Sequence, residues 1–105
     1  MPPFAKLALI KANAQSMSTS LDFLVKCGVI VKEINQKYAS KVDLIGPYPA
    51  PLEKQGGKFR AHLLLKSKTV VTMQQLLREL VARLDKMKRK ASLQWHLDVD
   101  PGDLT

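Results

Sequence analysis

From Lys58 to Lys66 the chain alternates. Phe59, Ala61, Leu63 and Leu65 fall on one side of an extended backbone, and Lys58, Arg60, His62, Leu64 and Lys66 fall on the other. A period of two is the pattern of a strand with one covered face and one wet face, because successive side chains point to opposite sides. Such a strand needs partners at its edges and a layer over its apolar side.

The neighbouring segments have the patterns to supply both. Thr72 with Gln75 three residues on matches a capping box, and Met73, Leu76, Leu77, Leu80, Val81, Leu84 and Met87 recur at helical spacing, which predicts a helix over 72–87. Upstream, Phe4 to Ala12 alternates loosely, with Ala5, Leu7 and Leu9 on one side and Lys6, Ala8 and Ile10 on the other, and reads as a strand. The hydroxyls between Ser16 and Ser20 offer N-caps, and Leu21, Leu24, Val25 and Ile34 follow at helical spacings. A helix from about Ser18 to about Lys37 is expected, although Gly28 and the β-branched run Val29-Ile30-Val31 weaken it.

Val42 to Ile45 reads as a short strand, ended by Gly46-Pro47-Tyr48-Pro49-Ala50-Pro51, whose three prolines favour a stiff extended segment. Gln55-Gly56-Gly57 supplies a turn into Lys58. After the basic turn Lys86 to Lys90, residues Leu93, Trp95, Leu97 and Val99 alternate with Gln94, His96, Asp98 and Asp100 in a last strand closed by Pro101-Gly102. The order β-α-β-β-α-β is that of an α+β, ferredoxin-like split βαβ domain: four antiparallel strands, two helices on one face, the other face open. A chain of 105 residues is expected to form one such domain over 1–105. The fold serves many unrelated functions, so function has to come from the site.

Composition narrows the classes. With 46% hydrophobic and 25% charged residues the chain is globular in character. Cys27 is the single cysteine, which excludes an internal disulfide and a cysteine-cluster zinc site and fits a reducing cytosol. No apolar run approaches a membrane span, and Met1-Pro2-Pro3-Phe4 lacks the pattern of a secretory leader. A cytoplasmic protein without membrane contact is expected. The formal net charge is +8, and eleven basic against two acidic side chains lie between Lys54 and Lys90. Polyanions are the partners such a segment suggests.

Motifs for other chemistry are missing. No phosphate-binding loop or dinucleotide fingerprint occurs, and Gly56-Gly57 alone cannot cradle a pyrophosphate. His62 and His96 are expected on non-adjacent strands without a carboxylate partner, and read as exposed sheet histidines more readily than as metal ligands. Cys27 reads as a buried small hydrophobe rather than a nucleophile. Asp98 and Asp100 share a strand face but read as solvated or lysine-paired, not as an acid/base pair. The RNA-recognition module has the same topology and stacks bases on aromatics of its third strand. Here the only aromatic of that strand, Phe59, is in phase with the core, as is Trp95 in the last strand, so stacking on the sheet is not expected.

What remains is a basic surface: Lys54, Lys58 and Arg60 around the turn and third strand, and Arg78, Arg83 and Lys86 on the outer side of the second helix, running into Lys88-Arg89-Lys90. These charges could simply solvate a face. Two features favour a polyanion: the prolines pre-organise the loop, and the concentrated positive charge repels itself unless relieved.

Pro2-Pro3-Phe4, Gly46-Pro47-Tyr48-Pro49-Ala50-Pro51, Gly57-Lys58-Phe59-Arg60, Leu63-Leu64-Leu65 and Trp95-His96-Leu97-Asp98-Val99-Asp100-Pro101, in order over nearly the whole chain, resemble the C-terminal domain of the bacterial primosomal replication-restart helicases, the PriA family, also called primosomal protein N-prime. The resemblance implies a small-subunit ribosomal protein-like fold and a piece of a longer ATP-dependent superfamily 2 DNA 3′-5′ helicase, whose ATP, magnesium and zinc belong to parts absent from this chain. No cofactor and no catalytic residue is expected in the chain itself. It further implies a non-catalytic domain that helps hold branched or single-stranded DNA against the helicase lobes and helps dock the acidic tail of single-stranded DNA-binding protein during primosome assembly. By matching positions, the Pro-rich loop with Lys54 and the Lys58, Arg60 pair would be its basic surface. Family members often carry an aromatic where this chain has Ala61, and a basic residue where it has Thr69-Val70-Val71. Lys66 and Lys68 are therefore the candidates for tail docking, with Leu64 as an apolar foothold. Two rivals come from other classes: a ribosomal or RNA-chaperone protein that prefers structured RNA, and a ligand-binding regulatory domain of the same topology.

Overall fold

The computed structural model describes residues 6–38, 42–55, 57–87 and 92–99. They form β1 (Lys6–Ala14), α1 (Met17–Tyr38), β2 (Val42–Gln55), β3 (Lys58–Ser67), α2 (Val70–Lys86) and β4 (Gln94–Val99). The strands make one sheet in the order β2-β3-β1-β4, with every neighbouring pair antiparallel. The expected split βαβ domain is what forms, with β3 and β1 central and β2 and β4 at the edges.

The period of two places the core where the sequence puts it on β3. Ala61, Leu63 and Leu65 are buried, and they meet Ala8, Ile10, Ala12 and Ala14 of β1 on the same side. Alanine at three of these four inward positions of β1 leaves volume for the larger side chains of the helices. α1 contributes Phe23, Leu24, Cys27, Val31 and Ile34 to this cluster, and α2 contributes Met73, Leu76, Leu77, Leu80 and Leu84. Both helices therefore cover one face, and the even-numbered side chains of β3 look out from the other.

Helix starts are fixed by hydroxyls. Ser16 caps α1 by accepting from the Thr19 amide at 3.2 Å, and the buried Ser20 hydroxyl donates to the Phe59 carbonyl at 2.8 Å, tying the first turn of the helix to β3. Gly28 and the β-branched run do not break α1, because Val31 and Ile34 are buried in the core and tertiary packing outweighs weak propensity. α2 starts earlier than expected. Its N-cap is Thr69, whose side chain accepts from the Thr72 amide at 3.1 Å, so Thr72 lies inside the first turn and the expected Thr72/Gln75 capping box is not the cap.

β2 is the larger difference. The strand does not end at Ile45 but continues through the prolines to Gln55, with register shifts between Ile45 and Tyr48 and between Pro49 and Lys54. An edge strand has one row of amides with no partner strand, so residues lacking N–H can sit there at little cost, and the shifts absorb the remainder. At the other end of the sheet, Asn35 of α1 holds the first residue of β2 with both halves of its amide. Its Nδ2 donates to the Val42 carbonyl at 3.1 Å and its Oδ1 accepts from the Val42 amide at 3.3 Å. Gly57, at φ 79°, makes the β2–β3 turn in a region that side chains rarely occupy.

Candidate nucleic-acid interface

The open face can be read as rows that run across the strands. Asp43, Lys66 and Leu7 form the first, Ile45, Leu64, Leu9 and Asp98 the second, and Tyr48, His62, Lys11 and His96 the third. Arg60, Asn13 and Gln94 form the last. With strands about 4.8 Å apart, a four-residue row spans roughly 14 Å.

The second row is mostly apolar, with Ile45 exposed and Leu64 and Leu9 half-buried beside it. The third row is mixed. Tyr48 and His62 meet edge to face, with ring centroids 5.9 Å apart and planes at 75°. Gly46 makes room for the tyrosine: a Cβ there would come within 2.8 Å of Tyr48 Cδ2, and its φ of 101° also favours glycine. His62 is held below its ordinary pKa of 6.5, first by burial and then by the positive charges of Arg60 and Lys11. Lys11 pairs with Asp98 at 3.2 Å, in line with the sequence reading of that aspartate as lysine-paired. Two atoms of this face are enclosed and have no hydrogen-bond partner, Asn13 Oδ1 and His62 Nε2.

Among the described residues, the candidate basic side chains divide between two sides of the sheet. Lys58, Arg60 and Lys66 share the open face of β3, with Lys66 exposed, and Lys68 is exposed just past the strand. Arg78, Arg83 and Lys86 lie on α2, in the layer across the sheet. Arg83 is committed to its own layer: it reaches Glu33 of α1 at 3.1 Å and Glu79 at 2.7 Å, while Lys37 of α1 meets Glu79 at 3.4 Å. Arg78 and Lys86 are exposed. The side chain of Lys54, and Lys88, Arg89, Lys90 and Asp100, lie outside the described residues.

Trp95, Cys27 and the exposed His96 sit as their sequence patterns suggest, whereas His62, expected as an exposed sheet histidine, is half-buried with its Nε2 enclosed, because Tyr48 of β2 packs against its ring. Trp95 is turned inward and stacks on Phe23 of α1 at 6.5 Å. Cys27 is fully buried, and burial pushes its thiol up to about 12, far from a nucleophile's range. His62 and His96 are separated by β1, on which Lys11 lies between them in register. Among the described residues no three His, Cys, Asp or Glu side chains come together as a metal site, and no helix is long and apolar enough to cross a membrane.

Sequence reasoning overlooked Tyr48, Lys11, Asn13 and Gln94. The alternation of Lys11 and Asn13 with Ala12 and Ala14 was an available signal for the β1 pair. Nothing local marks Tyr48 as facing His62, because that contact depends on the register of β2 against β3.

Comparison with known proteins agrees with the fold and identifies kin. Residues 1–102 match the family model described as the primosomal protein N C-terminal domain. The chain is 33% identical over all its 105 residues to the replication restart protein PriA of Haemophilus influenzae, of which it spans 14% of the length. Among solved structures, a de novo designed ferredoxin-fold protein, LFR1 1, superposes with TM-score 0.58 at 11% identity, covering 90% of this chain and 83% of the design. A Burkholderia phymatum amidase of the hydantoinase/carbamoylase family superposes with TM-score 0.58 at 13% identity, over 93% of this chain and 28% of the enzyme. Likeness at that level concerns the fold alone.

Proposed function

This chain belongs to the primosomal protein N C-terminal domain family, and we propose that it serves replication restart as a small non-catalytic domain that binds DNA and docks a partner. The observation that carries the reading is the division of the basic residues between two sides of one sheet. Lys58, Arg60 and Lys66 stand on the open face at alternate positions of β3, and Arg78 and Lys86 are exposed on the opposite layer. A branched DNA has arms that diverge, and two separated basic surfaces suit two arms. The open face takes the single-stranded portion, and the exposed Arg78 and Lys86 of α2 take a duplex arm. Arg83 serves mainly to join the two helices.

Binding through ammonium and guanidinium groups releases counterions from the DNA and carries little sequence preference. If about four phosphates are neutralised, log affinity falls with log salt at a slope near −3 to −4. The test compares forked DNA, single strands and structured RNA at matched salt. Lys58→Ala with Arg60→Ala should flatten the slope for single strands, while Arg78→Ala with Lys86→Ala should weaken forked and duplex DNA selectively. A salt-independent isotherm, strong sequence selectivity, or a preference for structured RNA would count against the reading.

The partner is the acidic, hydrophobic-ended tail of single-stranded DNA-binding protein. Lys66 and Lys68 would meet its carboxylates in charge-assisted hydrogen bonds, and the Ile45–Leu64–Leu9 row is a larger apolar foothold than Leu64 alone. The helicase lobes of the parent chain complete the pocket, and its ATP, magnesium and zinc are bound there rather than in this cytoplasmic accessory piece. Titration of a fluorescent tail peptide against the full helicase carrying Lys66→Ala and Lys68→Ala should show weaker, less salt-sensitive binding. Unchanged affinity and salt dependence remove both lysines from the docking site.

A further inference from the structure

We infer that the Tyr48, His62 and Lys11 row of the open face is a stacking site for unpaired bases of single-stranded DNA, an inference that rests on the DNA-binding reading above. The surface has the components such a site needs: ring faces for the bases and cations for the phosphates. Tyr48 and His62 stand at 75° to each other, so the pair forms a corner in which a base can lie on one ring with its edge toward the other. The tyrosine is held in place, because its ring occupies the space that a side chain at Gly46 would need.

The cations are next to the rings. Lys11 is the register partner of His62 on β1 and would exchange its partly exposed partner Asp98, 3.2 Å away, for a phosphate, and Arg60 lies two positions along β3 on the same face. Their charges also help keep the His62 ring neutral, and a neutral imidazole both stacks and hydrogen-bonds as donor or acceptor. Among the described residues, Asn13 Oδ1 and His62 Nε2 are buried side-chain atoms without a hydrogen-bond partner, and they belong to adjoining rows of this face. Buried polar atoms without partners are uncommon in folded proteins and call for an explanation. Base edges present the donors and acceptors that would satisfy these two enclosed atoms once the surrounding side chains open a path to them.

The geometry selects single strands. Among the described residues the open face is made of strand side chains, with no helix on that side to enter a duplex groove, whereas splayed bases can be laid on it. A row of roughly 14 Å accommodates about two or three bases, the number held by other four-stranded sheets that bind in this manner. Phe59 of β3 faces the core, so the stacking rings come instead from the edge strand β2 and from the outward position 62.

The test is equilibrium binding of oligothymidylate and of a duplex to the 105-residue chain, wild type and Tyr48→Ala with His62→Ala, at several salt concentrations. Loss of stacking should weaken oligothymidylate binding by about ten-fold or more, with the salt slope and duplex affinity unchanged, and Tyr48→Phe should retain wild-type affinity. Wild-type NMR provides an independent readout in case the double variant fails to fold. The Tyr48 and His62 ring signals should move upfield on adding oligothymidylate, with much smaller changes in the signals of the inward-facing Trp95. Unchanged single-strand affinity in a folded double variant, or ring signals that respond to an acidic peptide but not to oligothymidylate, overturns the stacking site and leaves salt-dependent DNA binding standing. Absence of any DNA binding by the wild-type chain at low salt overturns both.

Discussion

Leu63 and Leu64 are neighbours in sequence and opposites in the fold. Leu63 is 1% exposed among the helix side chains of the core, whereas Leu64 is half-buried on the open face between Ile45 and Leu9. On the helix side each residue is surrounded, so volume and shape decide what is tolerated. On the open side each residue has solvent above it, so charge, ring faces and hydrogen-bonding edges are what a substitution changes. One strand thus performs two tasks with alternate residues, and the tasks should be separable by mutation.

The sharpest break is the pair itself. Leu63→Ala should cost about 2–5 kcal/mol of stability through lost burial and a residual cavity, a large share of the roughly 5–15 kcal/mol of a small domain. Leu64→Ala should cost less than about 1 kcal/mol, because its outer side is already wet. Urea unfolding of both variants decides the matter, and equal losses would mean that the two sides are not packed differently.

A smaller effect is expected at the start of α2. Thr69→Ala removes the hydroxyl that accepts from the Thr72 amide and should cost about 1 kcal/mol. Serine at the same position should restore most of it. A thermal melt of Thr69→Ala that matches wild type would show that the cap adds nothing to a helix already held by its leucines.

The two arginines of α2 provide a finer comparison within the helix layer. Arg83→Ala breaks the contacts to Glu33 and Glu79 and should lower stability by a few tenths of a kcal/mol, because partly exposed ion pairs contribute little. Its effect on DNA affinity should be smaller than that of Arg78→Ala. If Arg83→Ala instead weakens forked-DNA binding more than Arg78→Ala while leaving the melt unchanged, the assignment of the two residues is reversed.

The smallest effect concerns His62. Its folded-state pKa lies below the ordinary 6.5, so between that value and its folded pKa the unfolded chain binds the additional proton. Stability contributed by the neutral ring is complete above about pH 6.5 and declines as the pH falls through this window. His62→Gln should flatten that part of the stability profile, whereas His96→Gln should leave it in place. A profile for His62→Gln with the same slope as wild type would place the titration elsewhere.

Much of this was legible locally. The inward and outward residues of β3 follow from a period of two, α2 follows from Met73 to Leu84 at helical spacing, and the inward placement of Trp95 follows from its phase with Leu93 and Leu97. α2's true start was not resolved, because Thr69 and Thr72 are both plausible caps, and which one serves depends on where β3 delivers the chain. β2 was cut short for a related reason. Prolines read as the end of a strand unless that strand is known to be at an edge, and edge position is a property of the sheet order.

The sequence alone determines the alternation, the helical periods, the concentration of positive charge between Lys54 and Lys90, and the family words, because each is written in residues close together along the chain. Tertiary structure alone decides that Lys58, Arg60 and Lys66 lie on one side and Arg78 and Lys86 on the other, that Arg83 is engaged by Glu33 and Glu79, and that Tyr48, His62, Lys11 and His96 share a row. These are relations between segments far apart in sequence. The arginine's partners arise from how α1 packs beside α2, and the row arises from which strands pair and in what register, where a slip of one residue would send a strand's share of the row to the other face.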